Sequence, residues 1–319
     1  MSSVGIFRGL TECSDVHGTF NVLAIDHRDN LVAELQKHQT TKVDYQTVVD
    51  FKTSVIRHLT LDASAVLTDP DYGFPAMLDG ALPGHIGLIA PLEVTDYSPH
   101  PSKRATVFIP GWDVAKLKAA GCSGAKLLLY YHPEAANAQS QTALVDQVVE
   151  QCKKHSVALF LEPVGYSLDP AQPLSNSERR QVVLESAKHF SKRGVDILKV
   201  EFPLDVAREP DENIWRDALQ ELSAACSVPW TLLSGGVSFE IFLRQTELAC
   251  AVGASGVMVG RAVWAEATAL HGEAREQFLK TTGAERMARL AAVCSSGSNW
   301  NTRHSLPSIV EGWYKEAKV

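Results

Sequence analysis

The sequence lacks several features that mark out large classes of protein. Its 30 lysines and arginines are outnumbered by 37 aspartates and glutamates, so the net charge is −7 and there is no basic excess for a nucleic acid. No apolar run reaches the roughly 20 residues of a membrane span, and the N-terminus lacks a signal peptide's basic start and apolar core. We expect neither a nucleic-acid partner nor a membrane.

Cysteine and histidine are present, but without the spacing of a metal site. The six cysteines form no CxxC pair, which predicts neither zinc nor disulfides but reduced thiols in a cytoplasmic protein. None of the 11 histidines stands in an HxH or HExxH motif, in which histidines bind zinc. The sequence therefore predicts no metal and no other cofactor.

Short apolar runs alternate with amphipathic stretches along most of the chain. The runs suit strands buried on both faces of a parallel sheet and comprise residues 20–26, 64–69, 86–91, 125–131, 157–162, 196–201, 230–234 and 256–260. Helical patterns lie between most of them, at residues 48–59, 111–120, 141–155, 177–193, 212–226 and 239–252. This alternation predicts a closed (β/α)8 TIM barrel. An open doubly wound sheet is the alternative, but no GxGxxG follows the first strand.

The other segments are predicted to be loops and extra terminal helices. Residues 92–110 and 165–176 have the composition of long loops, the second over the active face. Residues beyond 270 add helices outside the barrel, with a loop at 297–307. No linker divides the chain, so residues 1–319 are predicted to form one domain.

Polar residues follow nearly all the predicted strands, at the barrel end where active sites lie. Lys199 is the most informative, because a lysine inside a buried apolar strand is costly unless it is paired, hydrated or neutral. Desolvation and a second cation such as Lys126 favour the neutral amine, which can attack a ketone to form an iminium ion. The alternative is a structural ion pair with Glu201, two residues along the strand; Glu201 is otherwise a candidate substrate contact.

Neighbouring strand ends supply further candidates. Glu162 ends the preceding strand and is either the acid/base for proton transfer at a substrate hydroxyl or a carboxylate that only neutralises a lysine. Asp26 either orients a substrate hydroxyl or the Lys126 ammonium, or forms a structural ion pair. His27 and Arg28 follow directly and are candidate substrate contacts.

Two glycine-containing turns follow the last two predicted strands, Ser234-Gly235-Gly236 and Gly260-Arg261. Loops at these strands often bind phosphate, because glycine lets backbone N–H groups approach an anion and arginine donates paired hydrogen bonds. Either turn alone is explained by tight turn geometry in most proteins. Together they predict a phosphorylated ligand.

Over nearly its whole length the chain resembles the class I tagatose-1,6-bisphosphate aldolases of the lactose pathway. The matching segments are LAIDHR (23–28), DPDYGFPA (69–76), KR (103–104), KLLLYY (126–131), LKVE (198–201), LSGGV (233–237) and GRAVW (260–264). The resemblance implies metal-independent, reversible cleavage of a ketohexose 1,6-bisphosphate to dihydroxyacetone phosphate and glyceraldehyde 3-phosphate. It makes Lys199 the Schiff-base lysine and Glu162 the catalytic carboxylate. Asp26 and Lys126 match contacts to substrate and lysine, and the site for the C1 phosphate comprises Ser234, Gly236, Gly260 and Arg261.

The sequence also departs from this family. His27 stands where the family usually has glutamine, and Glu162-Pro163-Val164 is more similar to the related sulfofructosephosphate aldolases. Tyr130-Tyr131 and Asp71-Tyr72-Gly73 fit the tagatose-type group better. Lys103-Arg104 is either a second phosphate site or a solvated basic pair.

Two further hypotheses remain open at this stage. The same barrel could be an isomerase or lyase that uses Glu162 while Lys199 acts only electrostatically, or a noncatalytic sugar-phosphate-binding protein. A homo-oligomer is compatible with the sequence, which does not fix the oligomeric state.

Overall fold

The structure, a computed structural model, describes residues 3–94, 99–305, 307 and 309–315, apart from the side chains of residues 80 and 81. The strands of this part are β1 (Phe20–Ala24), β2 (Ala65–Leu67), β3 (Gly87–Pro91), β4 (Glu93–Val94), β5 (Val107–Phe108), β6 (Gly124–Tyr130), β7 (Ala158–Val164), β8 (Ile197–Val200), β9 (Trp230–Leu233) and β10 (Gly256–Val259). All except β4 and β5 pair in parallel in a closed barrel, in the order β1-β10-β9-β8-β7-β6-β3-β2. The predicted TIM barrel is confirmed, and each predicted strand occurs within two residues of its expected bounds.

Helices surround the barrel. The α-helices of the described residues are α1 (Val4–Cys13), α2 (Asp29–Gln36), α3 (Tyr45–Leu59), α4 (Gly73–Ala76), α5 (Val114–Ala119), α6 (Ala138–His155), α7 (Asn176–Phe190), α8 (Glu212–Ala225), α9 (Phe239–Ala251), α10 (Arg261–Trp264), α11 (Gly272–Phe278) and α12 (Ala284–Cys294). Shorter 3₁₀ turns cover Pro101–Lys103, Ala265–Ala269, Trp300–Thr302 and Trp313–Lys315, and π-helical turns cover Met77–Ala81 and Leu279–Gly283. Among the residues that the structure describes, no helix is long and apolar enough to cross a membrane.

The predicted helices occur as α3 and α5 to α9, and polar side chains cap several of them. Asp44 accepts the Thr47 N–H at the start of α3, and Ser175 and Glu178 form a capping box at the start of α7. In α5 the cap is Asp113, so this helix begins later than the predicted residue 111. Helices α11 and α12 confirm the predicted helices beyond residue 270.

The prediction of an irregular loop over residues 92–110 is wrong in part. Glu93–Val94 and Val107–Phe108 pair in an antiparallel ladder, and a 3₁₀ turn covers Pro101–Lys103. Residues 95–98 of this segment, and residue 306 of the predicted 297–307 loop, lie outside the described residues. The remainder of the second loop contains the Trp300–Thr302 turn.

Helix α1, which the sequence patterns did not predict, closes the base of the barrel. Its Ile6, Leu10 and Cys13 join the inward-facing apolar side chains of the strands in one cluster. Close packing requires glycine here, because a Cβ on Gly9 would lie 2.2 Å from the Ser123 carbonyl oxygen. A larger apolar cluster fills the layer between strands and helices. Apolar packing therefore occupies the base, and the polar strand ends lie at the opposite end, here called the mouth.

The C-terminal segment packs against α1 and the same base. Trp300 is buried, lies edge-on to Phe7 with ring centroids 5.6 Å apart, and donates from its indole nitrogen to Ser14 Oγ at 3.2 Å. Farther along, His304 Nε2 lies 2.8 Å from Asp196 Oδ1. The two ends of the described chain thus meet beneath the barrel.

Candidate active site

Inward-facing side chains change from apolar to charged along the strands toward the mouth. In β8, Ile197 belongs to the interior apolar cluster and Lys199 follows two residues later; in β7, Phe160 precedes Glu162 in the same way. Because side chains alternate between the two faces of a strand, residues two apart point to the same side. The strands therefore direct Lys199 and Glu162 into one space above the apolar filling.

Lys199 and Glu162 form a buried ion pair. Lys199 Nζ lies 2.9 Å from Glu162 Oε1, and both side chains are less than a tenth exposed. The alternative hypothesis, a structural ion pair between Lys199 and Glu201, is wrong. Glu201 Oε1 lies 3.0 Å from Arg179 Nη2, and Glu201 Oε2 accepts the Gly165 N–H at 2.7 Å. Glu201 follows the last residue of β8, and its carboxylate contacts α7 and the loop after β7. A substrate contact by Glu201 stays a prediction.

Lys126 lies at the centre of a cluster of three carboxylates, here called the Lys126 cluster. Its Nζ is 3.1 Å from Glu162 Oε2, 3.1 Å from Asp26 Oδ2 and 2.6 Å from Glu93 Oε1. Glu162 consequently bridges the two lysines. Lys126 is neutralised by these acids, so it is a weaker source of positive field at Lys199 than its sequence position suggested.

Glu93 is a functional candidate that the sequence reasoning missed. It follows β3 within the segment predicted as a loop, and it is buried beside Lys126. The signal was present, because a carboxylate two residues after a barrel strand lies at the active end. Glu93 Oε2 is buried and has no hydrogen-bond partner among the described residues.

Burial and the two lysines act in opposite directions on the pKa values of the three carboxylates, and the outcome differs between them. Burial acts to raise the pKa of both Asp26 and Glu162, but the charges of Lys126 and Lys199 outweigh it and hold each pKa below its usual range. For Glu93, burial prevails over the attraction of Lys126 and the pKa is raised. Burial also disfavours the charged form of Lys126, but the acids raise its pKa well above the usual value. Asp26 and Glu162 are thus the carboxylates suited to remain ionised.

A second buried ion pair supports the end of β1. Lys52 of α3 contacts Asp69, and Lys52 Nζ also donates to the Ile25 carbonyl at 2.7 Å. Asp69 Oδ1 in turn accepts the Tyr72 N–H at 2.9 Å. The pair therefore fixes the backbone next to Asp26. Sequence patterns indicated the position of Asp69 but not its partner, because Lys52 lies on a helix whose orientation the pattern does not determine.

His27 and Arg28 adopt different environments beside Asp26. Burial lowers the pKa of His27 to about 4, so its ring is neutral near pH 7, and it packs edge-on to Trp264 with centroids 5.1 Å apart. Arg28 Nη2 donates to the Glu93 carbonyl at 2.5 Å, joining the ends of β1 and β3. A substrate contact by either residue stays a prediction.

The two glycine-containing turns lie together, as the barrel order β10-β9 requires. Gly235 and Gly236 have φ angles of 57° and 83°, in the left-handed region that favours glycine. A Cβ on Gly236 would lie 3.2 Å from Arg261 Nη2, so this arginine spans from one turn to the other. Ser234 is buried at the start of the first turn, and Gly260 is buried at the start of α10. We call these five residues the phosphate cradle: Ser234, Gly235, Gly236, Gly260 and Arg261.

A groove of about 690 Å³ adjoins the phosphate cradle. Its lining includes His27, Gly236, Arg261 and the first residues of α9. The amino end of a helix and backbone N–H groups near glycine both favour an anion. Within the described residues, no group of three or more metal-ligating side chains is arranged to hold an ion.

Curated relatives align with almost the whole chain. The tagatose 1,6-diphosphate aldolase 2 of Streptococcus mutans is 29% identical over 93% of this chain and 97% of its own length. The tagatose 1,6-diphosphate aldolase 1 of Enterococcus faecalis is 32% identical over 88% of this chain and 91% of its own length. The resemblance noted from the sequence motifs is confirmed.

Solved structures share the fold at lower identity. An archaeal fructose 1,6-bisphosphate aldolase covers 92% of this chain, which covers all of that structure, with a TM-score of 0.62 and 16% identity. The fructose-bisphosphate aldolase of Slackia heliotrinireducens gives a TM-score of 0.64 at 15% identity, over 97% of this chain and 93% of that one. These likenesses support the barrel architecture.

A family model adds a match that spans the barrel. The model described as DeoC/LacD family aldolase matches residues 20–266, from the first residue of β1 to just beyond α10. The match contains both lysines, the carboxylates of the Lys126 cluster and the phosphate cradle. The chain belongs to the DeoC/LacD family of aldolases.

Proposed function

We propose that this aldolase is of class I and that Lys199 forms its Schiff base. The observation that carries the proposal is the 2.9 Å contact between Lys199 Nζ and Glu162 Oε1 at the barrel mouth. A carboxylate at this distance can accept a proton from the ammonium, and the neutral amine can then attack a ketone carbon. Lys126, 3.1 Å from the other Glu162 oxygen, holds that carboxylate in place.

The proposed substrate is a ketohexose 1,6-bisphosphate such as tagatose 1,6-bisphosphate. Its products are dihydroxyacetone phosphate and glyceraldehyde 3-phosphate, and the reaction is reversible. The names of the curated relatives, tagatose 1,6-diphosphate aldolases, support this substrate class. We assign the C1 phosphate to the phosphate cradle.

The steps follow from the positions of the charged groups. Attack of Lys199 on C2 gives a carbinolamine, and Glu162 returns the proton it took from the ammonium to the leaving hydroxyl, so that water departs, an iminium ion forms and Glu162 is ionised again. The C3–C4 bond then breaks, its electron pair moves toward the iminium nitrogen to give an enamine, and the C4 hydroxyl proton passes to Glu162. The lowered pKa of Glu162, caused by the two lysines prevailing over burial, keeps it ionised to receive this proton. Asp26 is assigned the orientation of a substrate hydroxyl, with His27 and Arg28 as further contacts.

Borohydride trapping tests the Schiff base directly. The protein is incubated with dihydroxyacetone phosphate, reduced, digested and mapped by mass spectrometry; the stable adduct is expected on Lys199. Lys199→Arg is the matched variant, because arginine keeps the charge beside Glu162 but cannot form the iminium. We expect it to give no adduct and no turnover. Turnover retained in Lys199→Arg would favour an isomerase or lyase, and ligand binding without turnover in the native protein would favour a noncatalytic sugar-phosphate-binding barrel.

A sulfofructosephosphate aldolase is the alternative within the same chemistry. The segment Glu162-Pro163-Val164 favours it, because this segment is more similar to those enzymes. Comparing kcat/KM for tagatose bisphosphate, fructose bisphosphate and sulfofructose phosphate decides between them. A one-domain organisation, a cytoplasmic location and a homo-oligomeric assembly stay predictions.

A further inference from the structure

The backbone pairing of β7 with β8 ends just before the two residues of the candidate reaction. The last pair in its register is Leu161 with Leu198, and the next residues along the two strands are Glu162 and Lys199. On its other side, β7 continues to pair with β6 as far as Val164. The strand ends that carry Glu162 and Lys199 thus lie beyond the ladder that aligns β7 with β8.

Glu201 joins these two strand ends beyond the ladder. It follows β8 directly, and its Oε2 accepts the N–H of Gly165, the first residue after β7, at 2.7 Å. A hydrogen bond to an ionised carboxylate is stronger than one between neutral groups. The Glu201 side chain is only 11% exposed, so water competes little for this bond. Glu201 therefore links β8 to β7 at the level of the Lys199–Glu162 pair.

Arg179 of α7 holds the same carboxylate from the helix layer. Its Nη2 lies 3.0 Å from Glu201 Oε1, and its Nε donates to the Phe202 carbonyl at 3.1 Å. These two contacts fix both the carboxylate and the backbone that follows it. Both oxygens of Glu201 are thus engaged by the protein, and together they join β7, β8 and α7.

The contact between Lys199 and Glu162 is sensitive to any relative movement of their strands. The two side chains meet at 2.9 Å, from Lys199 Nζ to Glu162 Oε1, and proton transfer requires a separation of about 2.6–3.2 Å. A shift of about 1 Å takes the pair out of this range, and misplacement on that scale can lower a rate about 100-fold. The link through Glu201 is therefore placed to determine the geometry of the pair.

We propose that Glu201 is a positioning residue for the aldolase reaction, which sets the distance between Lys199 and Glu162 by binding Gly165 and Arg179. The proposal rests on the proposed function, because it takes Lys199 to form the Schiff base and Glu162 to transfer the proton. In this role Glu201 acts through the two strand ends rather than through a contact with the sugar.

The test compares Glu201→Ala and Glu201→Gln in the cleavage of tagatose 1,6-bisphosphate. Alanine removes both links, so kcat should fall about 10- to 100-fold. KM should stay within about twofold, because the phosphate cradle follows β9 and β10. Glutamine keeps an oxygen that can accept the Gly165 N–H, so its kcat should lie between those of Glu201→Ala and the native protein.

Glu221→Gln is the matched control. Glu221 also pairs with an arginine of α7, Arg180 at 2.8 Å, but it lies on α8 and is 54% exposed. Its substitution should leave kcat and KM unchanged, because an exposed ion pair contributes little.

The pH dependence of kcat/KM separates positioning from a merely structural effect. Burial acts to raise the pKa of Glu162, but Lys199 and Lys126 outweigh it and lower this pKa. Lys126 and Asp26, the other charged neighbours, are the same in every variant. In Glu201→Ala, Lys199 moves away, so the pKa of Glu162 should rise and the acid limb of kcat/KM should move to higher pH. Loss of the Glu201 charge alone would favour ionised Glu162 and move that limb to lower pH.

Three results would overturn the proposal. They are a loss of kcat no larger than in Glu221→Gln, an acid limb that moves to lower pH, and a higher KM at unchanged kcat. The last of these would support a substrate contact by Glu201 instead. Urea unfolding shows whether each variant is folded. If Glu201→Ala is not, the kcat and KM of Glu201→Gln decide against those of Glu221→Gln.

Borohydride trapping with dihydroxyacetone phosphate separates this failure from failure of the proposed function. If the native protein forms the Lys199 adduct and the Glu201 variants form it at the native rate and turn over normally, only the positioning role fails. If the native protein forms no adduct, the proposed function itself fails.

Discussion

At the scale of single residues, Lys126 controls the ionisation of its neighbours. Three carboxylates lie within 3.1 Å of its ammonium, and its side chain is only 2% exposed. Without this cation the acids would be buried together with fewer compensating charges. Removal of one partner of a buried ion pair costs more than the pair contributes, because the remaining charge cannot be solvated.

Lys126→Met is expected to weaken the pH dependence of this cluster. In the native protein the pKa values of Asp26 and Glu162 are lowered, so their contribution to stability is present above the ordinary carboxyl pKa of about 4 and lost as the pH falls below it. Methionine removes the charge of Lys126 while Lys199 remains, so both pKa values rise toward the ordinary range and the variant should lose less stability on acidification than the native protein. The free energy of unfolding should be about 3–5 kcal/mol lower than native near pH 7, with the gap narrowing toward about pH 5.

Urea unfolding at several pH values measures this gap. Glu93, whose pKa burial already raises, loses the opposing charge of Lys126 in the variant, so its pKa rises further and adds to the same trend. Lys118→Met is the matched control, because Lys118 is exposed on α5. A gap for Lys126→Met that does not change with pH would contradict the electrostatic account.

At the scale of elements, the turn after β9 determines where Arg261 lies. Gly236→Ala places a Cβ 3.2 Å from Arg261 Nη2 and also occupies the left-handed region at a φ of 83°. The guanidinium is at the end of a flexible side chain and moves more easily than backbone. The Arg261 side chain should therefore shift away from the cradle. We expect KM for phosphorylated substrates to rise about tenfold, with roughly 1 kcal/mol lost from the free energy of unfolding.

Gly235→Ala is the control for backbone strain alone. Its φ of 57° is also left-handed, but the nearest atom to an added Cβ is Leu233 Cδ1 at 3.8 Å. It should lose similar stability with a smaller change in KM. Steady-state kinetics and urea unfolding of both variants distinguish the effects, and equal changes in KM would rule out displacement of Arg261 as the cause.

Elements differed in how well the sequence predicted them. The barrel strands were predictable because each is a compact apolar run, and the cradle because its glycines directly follow two of these runs. Helix α1 was not, since its Gly5 and Gly9 are poor helix formers whose value appears only in their close approach to the base. The partner of Glu201 depended on how distant elements meet, so Arg179 was missed. Glu93 was missed because its segment was interpreted as a loop, although its place two residues after β3 indicates the mouth.

At the scale of the whole molecule, the joined chain ends stabilise the barrel without taking part in the site. Trp300→Ala removes a buried indole from the base, where it packs against Phe7 and binds Ser14. We expect a loss of about 3 kcal/mol or more in the free energy of unfolding. Because the base is at the opposite end from the mouth, kcat below the unfolding transition should be unchanged.

Trp313→Ala provides the comparison for Trp300→Ala. Trp313 is 39% exposed, so its truncation should change stability by no more than about 0.5 kcal/mol. Urea unfolding and kcat are measured on both variants. A drop in kcat of folded Trp300→Ala would show that the base and the mouth are coupled.

The apolar filling beneath Lys199 also bears on the lifetime of a covalent adduct. An iminium is lost to hydrolysis, but Phe160, Ile197 and Leu10 below the lysine offer water no polar partners. Water must then arrive from above, through the space that the sugar itself occupies. A ligand long enough to fill the mouth shields its own bond to the protein, whereas a short ketone leaves that bond open to solvent. A bound ligand that fills the mouth would therefore slow the hydrolysis of its own iminium, because no water can reach the bond from the apolar base.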